Sequence, residues 1–581
     1  MGPCLHAVEF SLDIHVEKKI GNIVWVKLEK DQGNHPWFCK HIKVQTPCGD
    51  CIEFPSYCWL VNKTEVMIRE GTARLSQDDK DFQVQRKVEL EFRQKKFRWI
   101  EWSPGFPRSI DAKEHELPKE AQFDEEKQSD FKQNSLKAIK EFDLDKTEDY
   151  FESWKDIADI ENIFEHCSIN NTLLENVMQD WNKDDMFGYQ FLNGCNPAMI
   201  SKCMQLPDKF PVTHEMVEGS LTRGHTLQEE LQAGNICIVD FEILEEVPAV
   251  SKDRYLTAPI CLLYKNELDQ MLPIAIQLLM PHVRFTIAIN AVAREKLISE
   301  NGTFSRASSI SGAGMETLIK NAMKTLTFKS LCLPEDIKAR GMEDVPKYYY
   351  RDDGMMIWEA IHSFVSAVVK IYYGSNEAVQ QDVEIQEFVK DVAFGMNNSD
   401  KFPKSLNSRE QLVEYLTVVI FTASAQHAAV NFGQLDWYGW IPNGPSTMRK
   451  PPPQQKGQVD MKFIMESLPD HGSSREVLAT VWSLTRTESN ELDWYGWIPN
   501  GPSTMRKPPP QQKGQVDMKF IMESLPDHGS SREVLATVWS LTRTESNERF
   551  LGMYPDMYFT EQPVKKAIKT FCHKLEKLII T

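Results

Sequence analysis

No two of the 14 histidines stand four or five residues apart, so the chain carries no histidine pair at the spacing a helical metal site uses. It also lacks a Gly-rich phosphate loop, a paired zinc-ligand spacing and a nucleophile set beside a base. Those absences remove phosphoryl transfer, zinc chemistry and covalent catalysis as motif-based readings. A cationic surplus is missing too. Lys and Arg number 66 against 84 Asp and Glu, a formal net charge of −18, which excludes the basic footprint of a general nucleic-acid binder. A local membrane-facing patch stays compatible with that charge. No run of 18 apolar residues occurs, and no charged start leads into an apolar core, so neither a spanning helix nor a secretory leader is expected. Pro3 and His6 make Met1-Gly2 a poor myristoylation start. Cysteine is sparse, 12 in 581 residues, and points to reduced thiols in the cytosol or nucleus rather than a disulfide framework.

What is present is a chain long enough for two or more domains. Its 41% hydrophobic and 26% charged residues are ordinary for a soluble globular fold. It is organised around Leu416 to Gln434, LTVVIFTASAQHAAVNFGQ. Ser408 and Gln411 read as a capping box, no proline follows, and Gly433 supplies a stop, so the stretch predicts a helix. From Leu416 to Val430 it is apolar nearly all round and is expected to be buried. His427 and Asn431, four residues apart, then share one face, one turn apart. Ala423, Ser424, Ala425, Ala428 and Ala429 leave room beside the imidazole. Two readings stand: a metal half-site, or a core histidine with a packing asparagine.

Residues 22–75 read as short strands rich in β-branched and aromatic residues, with Gly33-Asn34 and Cys48-Gly49-Asp50 as turns. Residues 103–125 read as a polar, Pro-containing connection, and helical patterns follow from Asp130. Ser305 to Gly314 reads as a loop. Tyr350 to Gly354 reads as a charged turn ahead of an amphipathic helix with Trp358, Ile361 and Phe364. Asp352 and Asp353 resemble a catalytic carboxylate pair, but adjacent helical positions face apart, which favours a cap or turn role. Residues 435–491 and 492–548 are identical, 57 residues in each copy. Each copy holds a Pro-Pro-Pro run that breaks regular structure. One copy is expected to take the native place while the other loops out.

FTASAQHAAVNFGQ (421–434) closely resembles the iron-binding helix of animal lipoxygenases, the arachidonate 5-lipoxygenase branch in particular. RWIEWSPGFPRSIDA (98–112), MFGYQFLNGCNP (186–197), HVRFTIAIN (282–290), IKARGM (337–342), YYYRDDGMMIWEAI (348–361) and LDWYGWIPNGPSTMRKPPP (435–453) agree with it. The resemblance runs from about Gly21 to the end of the chain. It implies an α+β multidomain fold: a partial PLAT-type, C2-like β-sandwich over 1–102, a linker over 103–125 and a mainly α-helical lipoxygenase domain over 126–581. It further implies non-haem iron, a polyunsaturated fatty acid substrate such as arachidonate, and leukotriene-type products. The expected location is the cytoplasm or the nuclear or perinuclear membrane, with peripheral membrane association and no nucleic acid. Of the iron ligands that the resemblance implies, His427 and Asn431 are the two present here.

The likeness breaks where the chemistry would lie. It holds to Gln277-Leu278 and resumes at Leu279, and several dozen family residues are absent between them. Those residues include a helix with the first two iron ligands at HxxxxH spacing. His282 is retained, but the family does not use that position as a ligand, so it reads as a core histidine. The chain reaches Thr581 before the terminal isoleucine whose carboxylate ligates iron in the family. In the 5-lipoxygenase branch, Phe131 and the position of Ser135 form an aromatic pair that plugs the substrate cavity. Ser135 weakens any such plug, and a surface helix turn is the alternative. The sandwich carries calcium loops in the family. Here Gly33-Asn34-His35-Pro36 stands where an acidic loop would be, and calcium needs several oxygen ligands, so no competent calcium site is expected. The function expected of the parent is therefore a fatty-acid dioxygenase, and of this chain little or no turnover. The alternatives are a non-catalytic lipid-binding or dominant-negative isoform that pairs with full-length lipoxygenase, and a mis-assembled gene product.

Overall fold

The computed structural model describes residues 9–18, 20–30, 37–60, 65–80, 82–101, 103–112, 156–158, 161, 172–249, 256, 258–277, 310–397, 400–431, 437, 440, 460–468, 551 and 558–580. Phe131, Ser135, His282, the turn at Gly33-Asn34 and the second copy of the repeat lie outside them. The chain divides into two compact units, Met1–Arg74 with Tyr554–Lys566, and Leu75–Met553 with Ala567–Thr581.

In the first unit the β-branched and aromatic runs form β1 (Trp25–Glu29), β2 (Trp37–Gln45), β3 (Cys51–Leu60) and β4 (Glu65–Arg69), all inside the stretch read as strands. β1 pairs antiparallel with β4, Trp25 opposite Arg69, and β2 pairs antiparallel with β3, Trp37 opposite Leu60. The second register slips between Cys39 and His41, the mark of a bulge. Cys39, Phe54, Leu60 and Ile68 are buried. Each of the four strands pairs with one neighbour among the described residues. Cys48 and Cys51 bracket the β2–β3 turn as exposed free thiols, a CxxC spacing without a second pair. The Tyr57 and Tyr558 rings lie 4.8 Å apart, and the Ala73 N–H donates to Glu561 Oε1 at 2.6 Å.

The second unit begins with α1 (Gln83–Lys96). Its Arg86 guanidinium donates twice to the Glu384 carboxylate, each at 2.7 Å, and pairs with Asp79 at 3.0 Å. β5 (Trp99–Ile100) pairs with β6 (Ser109–Ile110). The segment between them, the start of the stretch read as a connection, buries Phe106 and holds Arg108 4.0 Å over the Phe394 ring. α2 (Thr172–Asp180) and α3 (Asp184–Asn193) lead into β7 (Ile200–Lys202). The short helices α4 (His214–Val217) and α5 (Leu227–Gln232) follow, then β8 (Ile236–Asp240), β9 (Ile260–Lys265) and β10 (Met271–Gln277). The four strands form an antiparallel sheet in the order β10-β9-β8-β7. This sheet interrupts the helical pattern read from Asp130 onward, within a domain that is otherwise mainly helical. Ile260 to Tyr264 are all buried, and a continuous apolar run that short fits a covered strand as well as a helix. α3 lies directly on β10: a Cβ at Gly188 would sit 1.7 Å from the Met271 carbonyl oxygen.

α6 (Gly312–Thr325) is capped by Ser311, whose Oγ accepts from the Gly314 N–H at 3.0 Å. Gly312 to Gly314 are therefore its first turn rather than loop. α7 (Phe328–Leu331), α8 (Leu333–Ala339), α9 (Tyr349–Tyr372), α10 (Asn376–Gln381), α11 (Val383–Gly395) and α12 (Arg409–Phe421) follow. Beyond them come α13 (His427–Asn431), α14 (Met461–Ser467) and α15 (Gln562–Ile580). α9 begins at Tyr349, so Tyr350 to Gly354 are its opening turn and not a turn ahead of it. Trp358, Ala360, Ile361, Val365 and Val369 are its buried stripe, while Phe364 stacks on Phe571 at 4.7 Å.

Three of the resembling segments meet in one structural junction. Arg340 pairs with Asp336 at 2.8 Å and donates to the Ile200 carbonyl at 2.7 Å and to the Tyr348 hydroxyl at 3.0 Å. The Tyr348 hydroxyl donates to the Pro197 carbonyl at 2.6 Å, and Asn193 Oδ1 accepts from the Tyr349 N–H at 2.8 Å. Of the first copy of the repeat, Trp437, Trp440 and residues 460–468 are described in this unit. Trp440 is fully buried 6.2 Å from Trp181, and Trp437 lies 6.0 Å from Tyr189.

Candidate functional site

α12 starts as the capping residues predict, with one change. Ser408 Oγ accepts from the Gln411 N–H at 3.2 Å, but Gln411 Oε1 accepts from the Asn407 N–H at 2.7 Å, one residue upstream of the usual return bond. Leu412, Val413, Tyr415, Thr417, Val418 and Phe421 are buried. Phe421 meets the edge of Trp358 on α9 at 5.3 Å, and Tyr415 stacks on Phe328 at 5.3 Å. The apolar pattern thus anchors the base of the site against α9 and α7.

The helix does not run evenly to Gly433. After Phe421 it widens into a π-helical turn, Thr422–Gln426, and α13 then begins at His427 itself. Turns of this kind arise mostly within α-helices, frequently at functional positions. Ser424 Oγ donates back to the Ile420 carbonyl at 2.6 Å, as Ser does within helices. Residues 422–430 are half-buried or exposed, with Ala423 and Ala429 open to solvent. This corrects the expectation of a helix buried to Val430. A helix apolar all round needs cover on every side, and the main described cover on this segment is α9.

His427 is half-buried, and burial pushes its imidazole below the usual histidine value. The ring is therefore neutral at physiological pH, the form that binds metals. Asn431 closes α13 one turn later, so the shared face holds for the backbone; its side chain is not among the described atoms. Just before His427, Gln426 Nε2 donates to the Tyr350 hydroxyl at 3.2 Å. Sequence spacing gives no sign of this pair, because 76 residues separate its members. Tyr350 belongs to the YYYRDDG segment, whose likeness to the family was its one signal.

Asp352 and Asp353 do not act as a pair. Asp352 is exposed and held by Arg351 at 2.6 Å. The Asp353 carboxyl is raised by burial and by the neighbouring Asp352 charge. Burial also raises the Tyr189 phenol, with smaller contributions from Tyr349 and Asp353.

Iron is the metal the resemblance implies, and the donors present can be compared with its needs. Among the described residues no three His, Cys, Asp or Glu side chains form a group able to hold a metal ion. One imidazole and one neutral amide position remain. Non-haem iron sites use several imidazoles and a carboxylate with an open position, so the described donors do not fit. The same observation leaves calcium without a described cluster of carboxylates.

A family profile described as Lipoxygenase matches residues 252–481, and one described as PLAT/LH2 domain matches residues 5–69. Polyunsaturated fatty acid lipoxygenase ALOX15B of Homo sapiens is 32% identical over 620 residues, 93% of this chain and 83% of the relative. Polyunsaturated fatty acid lipoxygenase ALOX8 of Mus musculus is 35% identical over 621 residues, 93% of this chain and 82% of the relative. The crystal structure of coral 8R-lipoxygenase, described in terms of calcium activation through a C2-like domain, is similar with a TM-score of 0.80 at 28% identity. That match covers 96% of this chain and 87% of the coral chain.

Proposed function

Because the chain belongs to the lipoxygenase family, dioxygenases of polyunsaturated fatty acids, we propose that it derives from the arachidonate 5-lipoxygenase branch of leukotriene-type synthesis and that this form turns over little or no substrate. The branch assignment rests on Asn431 and on the likeness of 421–434. The loss of turnover is supported by the sequence, in which no two histidines stand four or five residues apart, and by the lack, among the described residues, of three His, Cys, Asp or Glu side chains grouped to hold a metal ion. Outer-shell damage to a metal site lowers affinity by roughly 10–100-fold, and the loss of direct ligands exceeds that. When bound in the family, iron supplies the oxidant for the bis-allylic hydrogen. Here no described side chain replaces it.

We further propose that the chain holds a fatty acid of the same class and pairs with a full-length lipoxygenase, in the cytoplasm or at the nuclear envelope. A second reading, a mis-assembled gene product, is favoured by the letter-perfect duplication at 435–548. Elemental analysis for iron on the purified 581-residue chain, with conjugated-diene formation from arachidonate measured alongside, tests the main reading. Near-zero iron and no diene are expected. One iron per chain with sustained turnover would overturn it. Transcript sequencing across 278/279 and 491/492 separates an isoform from an assembly fault.

A further inference from the structure

The outward face of α1 is built the wrong way round for a helix lying on a protein. Val84, Val88 and Phe92 are 80%, 58% and 66% exposed, and no residue of the helix is buried. At about 100° per residue these three side chains span an arc of about 80°, a continuous apolar stripe. The opposite side, about 160° round from Val88, holds Arg86. Its guanidinium is fixed to Glu384 and Asp79, so the ion pairs lock the stripe outward.

The stripe is bordered by cations and by one exposed carboxylate, Glu91, which falls about 20° outside Val84 and lies 4.0 Å from Lys87. Lys87 is 77% exposed beside it, and Arg93, Lys95 and Lys96 close the last turn. By the same rotation Lys95 falls within the arc of the stripe itself. In a chain of net charge −18 this is a local positive patch.

We propose that this face of α1 binds an anionic phospholipid surface, with Val84, Val88 and Phe92 entering the headgroup–acyl boundary and Lys87, Lys95 and Lys96 reaching the phosphates. A protein groove closing over the stripe would strip water from the Lys95 ammonium and from the Glu91 carboxylate at its edge, a cost that a wet surface avoids. A bilayer interface lets the same lysine lay its methylene stem on the apolar surface and keep its ammonium among the headgroups. The convex single helix offers no groove of its own, which also suits a fluid surface. The proposal does not depend on any catalytic activity of the chain.

The test is sedimentation of the full chain with vesicles of phosphatidylcholine alone and of phosphatidylcholine with phosphatidylserine, in chelator so that calcium takes no part. Binding is expected to the anionic vesicles and to weaken as salt rises. The double variant Val88→Glu/Phe92→Glu is expected to lose roughly tenfold in binding, and Lys95→Glu/Lys96→Glu to lose the preference for phosphatidylserine. Leu268→Glu, which changes a 73% exposed apolar residue elsewhere in the unit, should leave binding unchanged. Because Val88, Phe92, Lys95 and Leu268 are exposed and Lys96 is half-buried at the end of the helix, circular dichroism should match the parent throughout. No binding by the parent, or equal binding by Val88→Glu/Phe92→Glu, overturns the proposal. So does a stripe variant that changes only the oligomeric state without vesicles, since that would make the face a protein interface.

Discussion

Gln426 and Tyr350 are joined across the site: the amide of the residue before His427 donates to a phenol in the first turn of α9, at 3.2 Å. The bond fastens the widened turn to the longest helix of the described core. A neutral hydrogen bond of this kind contributes about 1 kcal/mol net. Tyr350→Phe is expected to lower stability by about that amount and to speed amide exchange over 422–427 more than elsewhere in α12. Unchanged exchange at those amides would show that the bond does not steady the His427 turn.

The contact of α3 with β10 leaves no space for a side chain. Gly188→Ala would place a methyl carbon 1.7 Å from the Met271 carbonyl oxygen, against backbone on both sides. Such overpacking costs about 3 kcal/mol or more, because neither backbone yields as a side chain would. Gly219→Ala, where nothing lies within 4 Å, is the control and should be nearly neutral. Urea midpoints of the two variants should differ accordingly. Equal midpoints would contradict the close packing of α3 on the sheet.

Arg340 and Asp336 are 11% and 8% exposed and share hydrogen bonds with Ile200 and Tyr348. Asp336→Asn leaves a buried guanidinium without its counter-charge, which destabilises by roughly 3–5 kcal/mol. Asp336→Asn/Arg340→Met removes both charges and should recover a large part of that loss. A denaturation series of the single and double variants checks the sign. A double variant less stable than Asp336→Asn would show that the guanidinium acts through its carbonyl bonds rather than through the pair.

His225 Nδ1 stands 2.6 Å from Glu230 Oε1, whose carboxylate is 2% exposed. The hydrogen bond to Glu230 raises the imidazole, helped by the Glu230, Glu229 and Glu267 charges. Burial pushes the Glu230 carboxyl up, but the bonds from Asn235, His225 and Tyr264 outweigh it and hold it below its usual value. The histidine contribution to stability is therefore complete below about pH 6.5 and disappears as pH rises through its raised folded value. The carboxylate contribution is present above about pH 4.5 and disappears as pH falls through its lowered value. Stability of the parent should decline on passing from mildly acidic to alkaline pH, and His225→Gln should flatten that decline. Urea midpoints across this range decide it; parallel profiles for parent and variant would remove His225 from the account.

The parts of this fold that could be read from sequence are those where local chemistry and burial agree. The strands of the first unit announce themselves through alternating β-branched and aromatic residues. Ser408 fixes the start of α12, and within the stretch read as buried from Leu416 to Val430 only Thr417, Val418 and Phe421 are so. Three features escaped. The sheet of β7 to β10 hid because ICIVD and ICLLYK are short apolar runs with no period to separate strand from helix. The π turn hid because it inserts one residue into a uniform apolar stretch, and nothing in TASAQ departs from ordinary helix composition. The outward stripe of α1 hid because Val84, Val88 and Phe92 have core-like spacing, and only Arg86 and its distant partners say which way the helix is turned. At the candidate site, His427 and Asn431 were legible from spacing, whereas the Tyr350 tether depends on the folded chain alone.

Trp440 lies fully covered beside Trp181, and its letter-for-letter double recurs at Trp497. One pocket for two equal claimants frees one copy from selection: a mutation there leaves the filled pocket untouched and drifts without penalty. Two copies that have had generations in which to drift do not stay identical over 57 residues. Exact identity is therefore the mark either of a duplication younger than any adaptation to it or of a fault in assembly.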